Sequence, residues 1–372
     1  MIDGPPAIIK ARDCYTSLMD SITLTQPDDW HLHVRDGAVL KDVVHWSAAR
    51  FGRAIIMPNL VPPVTTTAAA IAYRERILAA RPAGSDFNPL MTLYLTDNTP
   101  AAEIERAKAS GVVQAVKLYP AGATTHSDAG VTDINHCTEA LEAIAEANLT
   151  LCIHGEVTHP ETDIFDREAI FLEQRLAPLL ERHPRLRVVL EHLTTKAAVD
   201  FVREGPARLG ATITPQHLLL NRNDLLAGGI RPHHYCLPIL KRERDREALI
   251  AAATSGHPRF FLGTDSAPHA LEAKETDCGC AGIFTAPAAI ELYAQAFDQV
   301  GALDRLEGFA SHFGADFYGL PRNAPTLTLE RCQQPLPASL PYGPSTIVPL
   351  FGGGEIAWRI AAPSTPTRAQ SK

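Results

Sequence analysis

Asp29-Trp-His31-Leu-His33-Val34 is a β-rich apolar run carrying two histidines at alternate positions, and its reading decides the fold. Alternate residues of a strand point to one side, so His31 and His33 share a face and can hold one metal ion. A second β-like piece, Ser21–Thr25, leads into this run. Downstream, short apolar runs recur at Ala54–Pro58, Leu90–Leu95, Ala115–Tyr119, Leu149–His154, Arg187–His192, Ala211–Thr214 and Arg259–Gly263. Between them lie alanine-rich amphipathic stretches: Ala68–Ala80, Ala101–Ser110, Cys137–Ala147, Ala169–Arg182, Lys196–Glu204, Arg244–Ala253 and Ala286–Val300. Strands alternating with helices build a parallel sheet, and eight strand candidates predict an α/β fold, a (β/α)8 TIM barrel. The rival, an open doubly wound sheet, lacks a GxGxxG turn after its first strand.

Past Gly319 six prolines, from Pro321 to Pro344, interrupt any long helix. Short β-like pieces at Thr326–Leu329, Thr346–Leu350 and Ile356–Ile360 predict a C-terminal appendage wrapped on the barrel. The expected organisation is a flexible extension over residues 1–18, a barrel over 19–320, and an appendage over 321–372 whose polar end, from 363, is disordered. Met19 is a candidate alternative start.

Composition narrows the function. The net charge of −8 and the lack of a basic run argue against nucleic-acid binding. No apolar run approaches the roughly 18–20 residues of a membrane span, and the first residues lack a secretory h-region. Seven scattered cysteines do not make a disulfide framework, and Cys278-Gly-Cys280 has the wrong spacing for a zinc knuckle. A soluble, cytoplasmic protein is expected.

The polar residues fall where barrel enzymes keep their chemistry, at the C-terminal ends of strands. The first strand ends in His31 and His33, the fourth carries Lys117, the fifth His154, the sixth His192 and the eighth Asp265. Alone, each has a plain reading: a hydrogen-bonded loop histidine, a snorkelling lysine, a helix N-cap. Recurrence at one end of five strands points instead to a metal site. Lys117 then needs a reason to be there, because an ammonium beside divalent cations is repelled. A buried lysine loses its proton readily, and the neutral amine can add carbon dioxide. The resulting carbamate can bridge two metals as a carboxylate would. His217, at the seventh strand end, is read as a structural residue or else as one that supports the ligands from behind.

These residues sit in a series of motifs that resembles the amidohydrolase superfamily and, within it, the dihydroorotases of the short bacterial type. The series runs Pro27-Asp-Asp-Trp-His-Leu-His-Val-Arg-Asp-Gly37, Ile56-Met-Pro-Asn-Leu60, Lys117-Leu-Tyr-Pro120 and His154-Gly-Glu-Val-Thr158. It continues through Glu191-His-Leu-Thr-Thr-Lys196, Tyr235-Cys-Leu-Pro-Ile-Leu-Lys241, Gly263-Thr-Asp-Ser-Ala-Pro-His269 and Cys278-Gly-Cys-Ala-Gly282. The resemblance spans roughly residues 24–360.

It implies reversible hydrolysis of the cyclic amide of L-dihydroorotate to N-carbamoyl-L-aspartate, in pyrimidine synthesis. His31, His33 and Asp265 would hold one divalent ion, His154 and His192 a second, with carboxylated Lys117 (N6-carboxylysine) bridging them. Zn2+ is the expected metal. Asp265 would be the general base toward a metal-bridged hydroxide. Arg35 would grip the substrate carboxylate, Asn59 and His269 would donate to it, and backbone groups of Leu237 and Ala281 would meet the ring. Thr124 and Thr125 resemble a lid over the site, and a homodimer is the family expectation. Rival readings are a hydantoinase- or allantoinase-type enzyme and a catalytically inactive barrel scaffold. The former usually adds a β-sandwich from both termini, for which this N-terminus is too short.

Overall fold

The structure, a computed structural model, describes residues 19–362, so the expectations for residues 1–18 and 363–372 lie outside the described residues. Eight parallel strands run in chain order around a barrel: β2 (Asp28–Leu32), β3 (Arg53–Ile56), β4 (Asn88–Tyr94), β5 (Val113–Leu118), β6 (Thr150–Ile153), β7 (Arg187–Leu190), β8 (Leu209–Ile213) and β9 (Phe260–Leu262). Each is hydrogen-bonded to the next in sequence, the (β/α)8 arrangement expected. Helices at Thr67–Ala80, Ala101–Ser110, Thr138–Glu146, Lys196–Glu204, Glu243–Ala253 and Ala289–Asp298 agree with the predicted ones to within a few residues. The predicted helix at 169–182 begins at Arg167 and carries a π-helical turn at Leu172–Leu176. A helix at Leu40–Ala48, burying Leu40, Val43 and Val44, was absent from the expectations.

Period-two alternation sorts the side chains into two cores. Ile56, Val116, Ile153 and Leu190 face outward to the helices. Ile55, Ala115, Cys152, Val189 and Phe261 face inward and meet Trp30 and Tyr318, whose rings stack 4.6 Å apart. On β5 the inward register continues from Ala115 to Lys117, so a lysine stands where the interior would otherwise be apolar.

The barrel closes without strand pairing between β9 and β2. A single bridge joins Leu32 to Ser266, and the Asp265 N–H donates to the His31 carbonyl at 2.9 Å. Asp29 locks this seam: its carboxylate accepts from the Thr264 N–H (2.9 Å), the Thr264 hydroxyl (2.6 Å) and the His31 N–H (3.1 Å). Only glycine fits at 263, where a Cβ would lie 2.6 Å from Thr212 Cγ2 and 3.1 Å from His31 Cβ. The seam brings His31 and Asp265, far apart in the chain, into one place.

One expectation is corrected. Ser21–Thr25 (β1) does not extend the first barrel strand. It pairs antiparallel with β10 (Thr326–Pro335), which also pairs with β13 (Glu355–Ile360). Both ends of the described chain therefore build one three-stranded sheet, though not a sandwich. A hairpin of β11 (Leu340–Tyr342) and β12 (Ser345–Ile347) completes the appendage. Local alternation is the same for a barrel strand and an appendage strand, so β1 gives no sign of its partner. The six described cysteines are free.

Candidate metal centre and substrate cavity

His31, His33 and Asp265 meet at the mouth of the barrel, with ligand atoms all within 4.8 Å of one another. Asp265 Oδ1 lies 3.0 Å from His33 Nε2 and 3.4 Å from His31 Nε2. The His192 ring follows at 5.1 Å from that of His31, and the His154 ring at 4.8 Å from that of His192. Lys117 is fully buried, and its charge acts on His31, His33 and His192. All six predicted ligands are thus buried in one cluster, drawn from five strand ends.

The backbone is strained to achieve this. Arg35, His192 and Asp265 hold positive φ angles of 59°, 43° and 45°. Such conformations cost non-glycine residues about 1–3 kcal/mol each and collect where function over-determines the geometry.

Burial also sets the charges. It pushes His33 and His192 well below the usual histidine range and lowers His31, which leaves neutral rings with lone pairs for a cation. It lowers Lys117 toward the free amine, against the pull of Glu191, Cys152 and Asp265. It raises Asp265, against His31 and Lys117.

Two carboxylates that no sequence signal had singled out orient the rings. Glu191 Oε2 accepts from His31 Nδ1 at 2.8 Å, leaving Nε2 toward Asp265. Glu156 Oε2 meets His154 at the opposite nitrogen, Nε2, also at 2.8 Å. Each lies within two residues of a predicted ligand histidine in the sequence, and that adjacency was the available clue. Glu191 further accepts from the Thr212 hydroxyl (2.6 Å), which in turn accepts from the His192 N–H (2.7 Å). Burial works to raise Glu191, and His31, Lys117 and Thr212 bring it below the usual carboxylate range.

The donor set fits a divalent cation. Imidazole and carboxylate are its ordinary ligands. Lys117 Nζ, His192 Nδ1, Tyr119 Oη, Glu191 Oε1 and Glu156 Oε1 are buried without a hydrogen-bond partner, a concentration that native interiors tolerate only where something else uses those atoms.

Above the cluster lies a small cavity, closed down to about 20 Å³ of free volume. Its wall includes Arg35, Asn59, Thr124, Thr125, Leu237 and Ala281, as the sequence reading expected, and also Tyr119 and Gly282, which it did not. His269, expected as a donor to the substrate, instead stands behind Arg35 and off the cavity wall: its Nε2 accepts from Arg35 Nη2 at 2.8 Å, while Arg35 Nε donates to the Pro268 carbonyl at 2.9 Å. The loop bearing Thr124 and Thr125 is tied down over the cavity. The Thr125 hydroxyl reaches the Ala281 carbonyl (3.4 Å), and Asn59 Nδ2 reaches the Thr125 carbonyl (3.3 Å). His217 is bonded to Thr214 and the Pro238 carbonyl, and its charge is felt at His192 and Asp265.

A buried histidine–aspartate cluster at the C-terminal mouth of a (β/α)8 barrel places this chain among barrel enzymes with a site able to hold a metal ion. Comparison with known proteins narrows this. The profile of the amidohydrolase family matches residues 28–328. A dihydroorotase of Alkalilimnicola ehrlichii is 68% identical over 342 residues, covering 92% of this chain and all of that protein. The crystal structure of a Campylobacter jejuni dihydroorotase superposes with a TM-score of 0.85 at 34% identity, over 94% of this chain and 99% of that one. A Saccharomyces cerevisiae dihydroorotase solved with 5-fluoroorotic acid gives 0.84 at 32%, over 92% and 99%. The chain belongs to the amidohydrolase family and, within it, to the dihydroorotases, hydrolases of cyclic amides. Membership implies a divalent metal, which the group of His31, His33 and Asp265 can hold.

Proposed function

We propose that the chain opens and closes the ring of L-dihydroorotate, interconverting it with N-carbamoyl-L-aspartate, through a two-metal site bridged by carboxylated Lys117. The observation that carries this reading is the fully buried, unpartnered Lys117 Nζ among the His31, His33, His192 and Asp265 side chains. His31, His33 and Asp265 would hold one ion and His154 and His192 the other, with Zn2+ the metal their chemistry suits. When bound, two such ions polarise a carbonyl and acidify water.

The remaining work falls to this chain's own groups. The neutral Lys117 amine adds carbon dioxide, forming an N–C bond and releasing one proton. Arg35 grips the substrate carboxylate, a charge-assisted contact that fixes the ring. Asn59 donates to the same group, His269 holds Arg35 in place, and backbone groups of Leu237 and Ala281 meet the ring edge. In the hydrolytic direction Asp265 takes the proton of the attacking water and passes it to the departing ring nitrogen. Thr124 and Thr125 close over the cavity and exclude bulk water.

The placement of Arg35 on the cavity wall favours a carboxylate-bearing ring over the hydantoinase or allantoinase alternative. An inactive scaffold would be expected to have lost a ligand, whereas all six are present and buried. The reading includes a homodimer in the cytoplasm; no helix of the described residues is long and apolar enough to cross a membrane. The test is substrate choice. Metal-replete protein should turn over dihydroorotate far faster than dihydrouracil, the same ring without the carboxylate, and equal rates would refute the assignment.

A further inference from the structure

Lys274 ends a short helix, Leu271–Lys274, and is 4% exposed. Among the described residues it makes no ion pair with a carboxylate. Its ammonium instead donates to three backbone carbonyls: Tyr235 at 2.8 Å, Cys280 at 2.7 Å and Gly282 at 2.7 Å. Those three acceptors use all the donors a lysine has. They come from two loops that the fold supplies separately, and the loops touch through one further bond, from the Gly282 N–H to the Tyr235 carbonyl at 3.0 Å.

The same two loops furnish one side of the substrate cavity. Leu237 lies two residues past Tyr235, and Ala281 lies between Cys280 and Gly282. The Ala281 carbonyl is also where the Thr125 hydroxyl lands when the loop above the cavity is down. Three carbonyl dipoles converging on a buried point repel one another unless a cation sits among them, and without it the Cys280 and Gly282 carbonyls would be left unmet while that of Tyr235 kept only the Gly282 N–H. The metal ligands are carried by barrel strands and by the seam that Asp29 locks, and the 280–282 loop meets that seam only past Gly282, where Ile283 bridges Ser266 and accepts from the Ala267 N–H.

We propose that Lys274 is a positioning residue for substrate binding, pinning the 235–237 and 280–282 loops so that Leu237 and Ala281 face the substrate and Thr125 finds its landing point. The inference rests on the proposed function for the identity of the substrate. Without the pin, the loops would have to be ordered at the expense of binding free energy, which raises KM, while the residues that carry the chemistry stay in place.

The experiment compares Lys274→Met, which keeps the stem without its donors, with Lys274→Arg, which keeps the charge on a planar fork that cannot reproduce three convergent donors. Metal content, dihydroorotate kinetics and backbone hydrogen exchange are measured for both and for the unaltered protein. Lys274→Met should raise KM about tenfold or more, with kcat within about threefold and metal content unchanged, and Lys274→Arg should fall between. Exchange should quicken at 121–130, 235–237 and 280–282 and not at the strand ends. KM within twofold of the unaltered protein, a fall in kcat at constant KM, or loss of metal would overturn the proposal. If Lys274→Met does not fold, Lys274→Arg decides: KM raised at least about threefold at constant kcat supports the pin, and any other result refutes it. If the unaltered protein does not hydrolyse dihydroorotate, the substrate assignment has failed, and the exchange comparison still decides whether Lys274 orders the loops.

Discussion

Glu191 Oε2 accepts a hydrogen bond from His31 Nδ1 at 2.8 Å, between residues 160 positions apart, and so leaves the Nε2 lone pair of His31 toward Asp265. Outer carboxylates of this kind fix the tautomer of a ligand histidine and raise its basicity. Glu191→Gln keeps the size of the side chain and removes its charge. Metal affinity, measured by competition with a chelator, should fall about 10- to 100-fold while the fold, followed by circular dichroism, is kept. Unchanged affinity would remove Glu191 from the metal site.

Lys117→Ala removes the only group in the cluster that can become a bridging carbamate. The variant should bind fewer than two metals and lose about 10³-fold or more in kcat, since two-metal activation is lost. Nuclear magnetic resonance with 13C-labelled carbon dioxide should show a carbamate carbon in the unaltered protein and none in the variant. Two bound metals with full activity would refute the bridge.

Arg35 spends Nε on the Pro268 carbonyl and Nη2 on His269, which leaves Nη1 without a partner among the described residues. Arg35→Met should raise KM for dihydroorotate about 10- to 100-fold, the worth of a charge-assisted hydrogen bond. Kinetics toward dihydrouracil should be unaffected. An equal change for both rings would place the effect in packing and not in carboxylate recognition.

His217 provides a pH signature from a residue outside the candidate ligand set. It is buried and bonded as a neutral ring, its Nε2 donating to the Pro238 carbonyl at 3.0 Å and its Nδ1 accepting from the Thr214 hydroxyl at 2.7 Å. Burial pushes it down to about 4, from 6.5 in the unfolded chain. The unfolded state therefore binds the extra proton between those values. Stability from this group is complete above pH 6.5 and is lost as the pH falls toward about 4, by about 3 kcal/mol. In chelator-treated protein, His217→Gln should flatten the fall in urea stability across that window. An unchanged slope would contradict the neutral-ring assignment.

The barrel and the polar cluster at its mouth were legible because both follow from strand register. His31, His33, Lys117, His154, His192 and Asp265 stand at or near strand ends, and inward-facing positions there can be counted along the chain. What escaped depended on partners that no local pattern names. Thr23 of β1 bonds Thr328, 305 residues away, and its alternation would suit either sheet. Glu191 matters because β2 brings His31 to it. Lys274 reads as an ordinary helix-end lysine until two loops fold their carbonyls around it. Tyr119 lies in a quoted motif, yet its place on the cavity wall depends on how far past Lys117 the inward register runs.

The most direct test of the account is steady-state hydrolysis of L-dihydroorotate by the purified protein, followed with and without divalent metal and beside an Asp265→Asn variant. The account predicts metal-dependent ring opening to N-carbamoyl-L-aspartate, abolished by chelation and restored by Zn2+, with Asp265→Asn retaining substantial metal and losing most turnover. Metal-replete protein that hydrolyses dihydroorotate no faster than the buffer alone would contradict it.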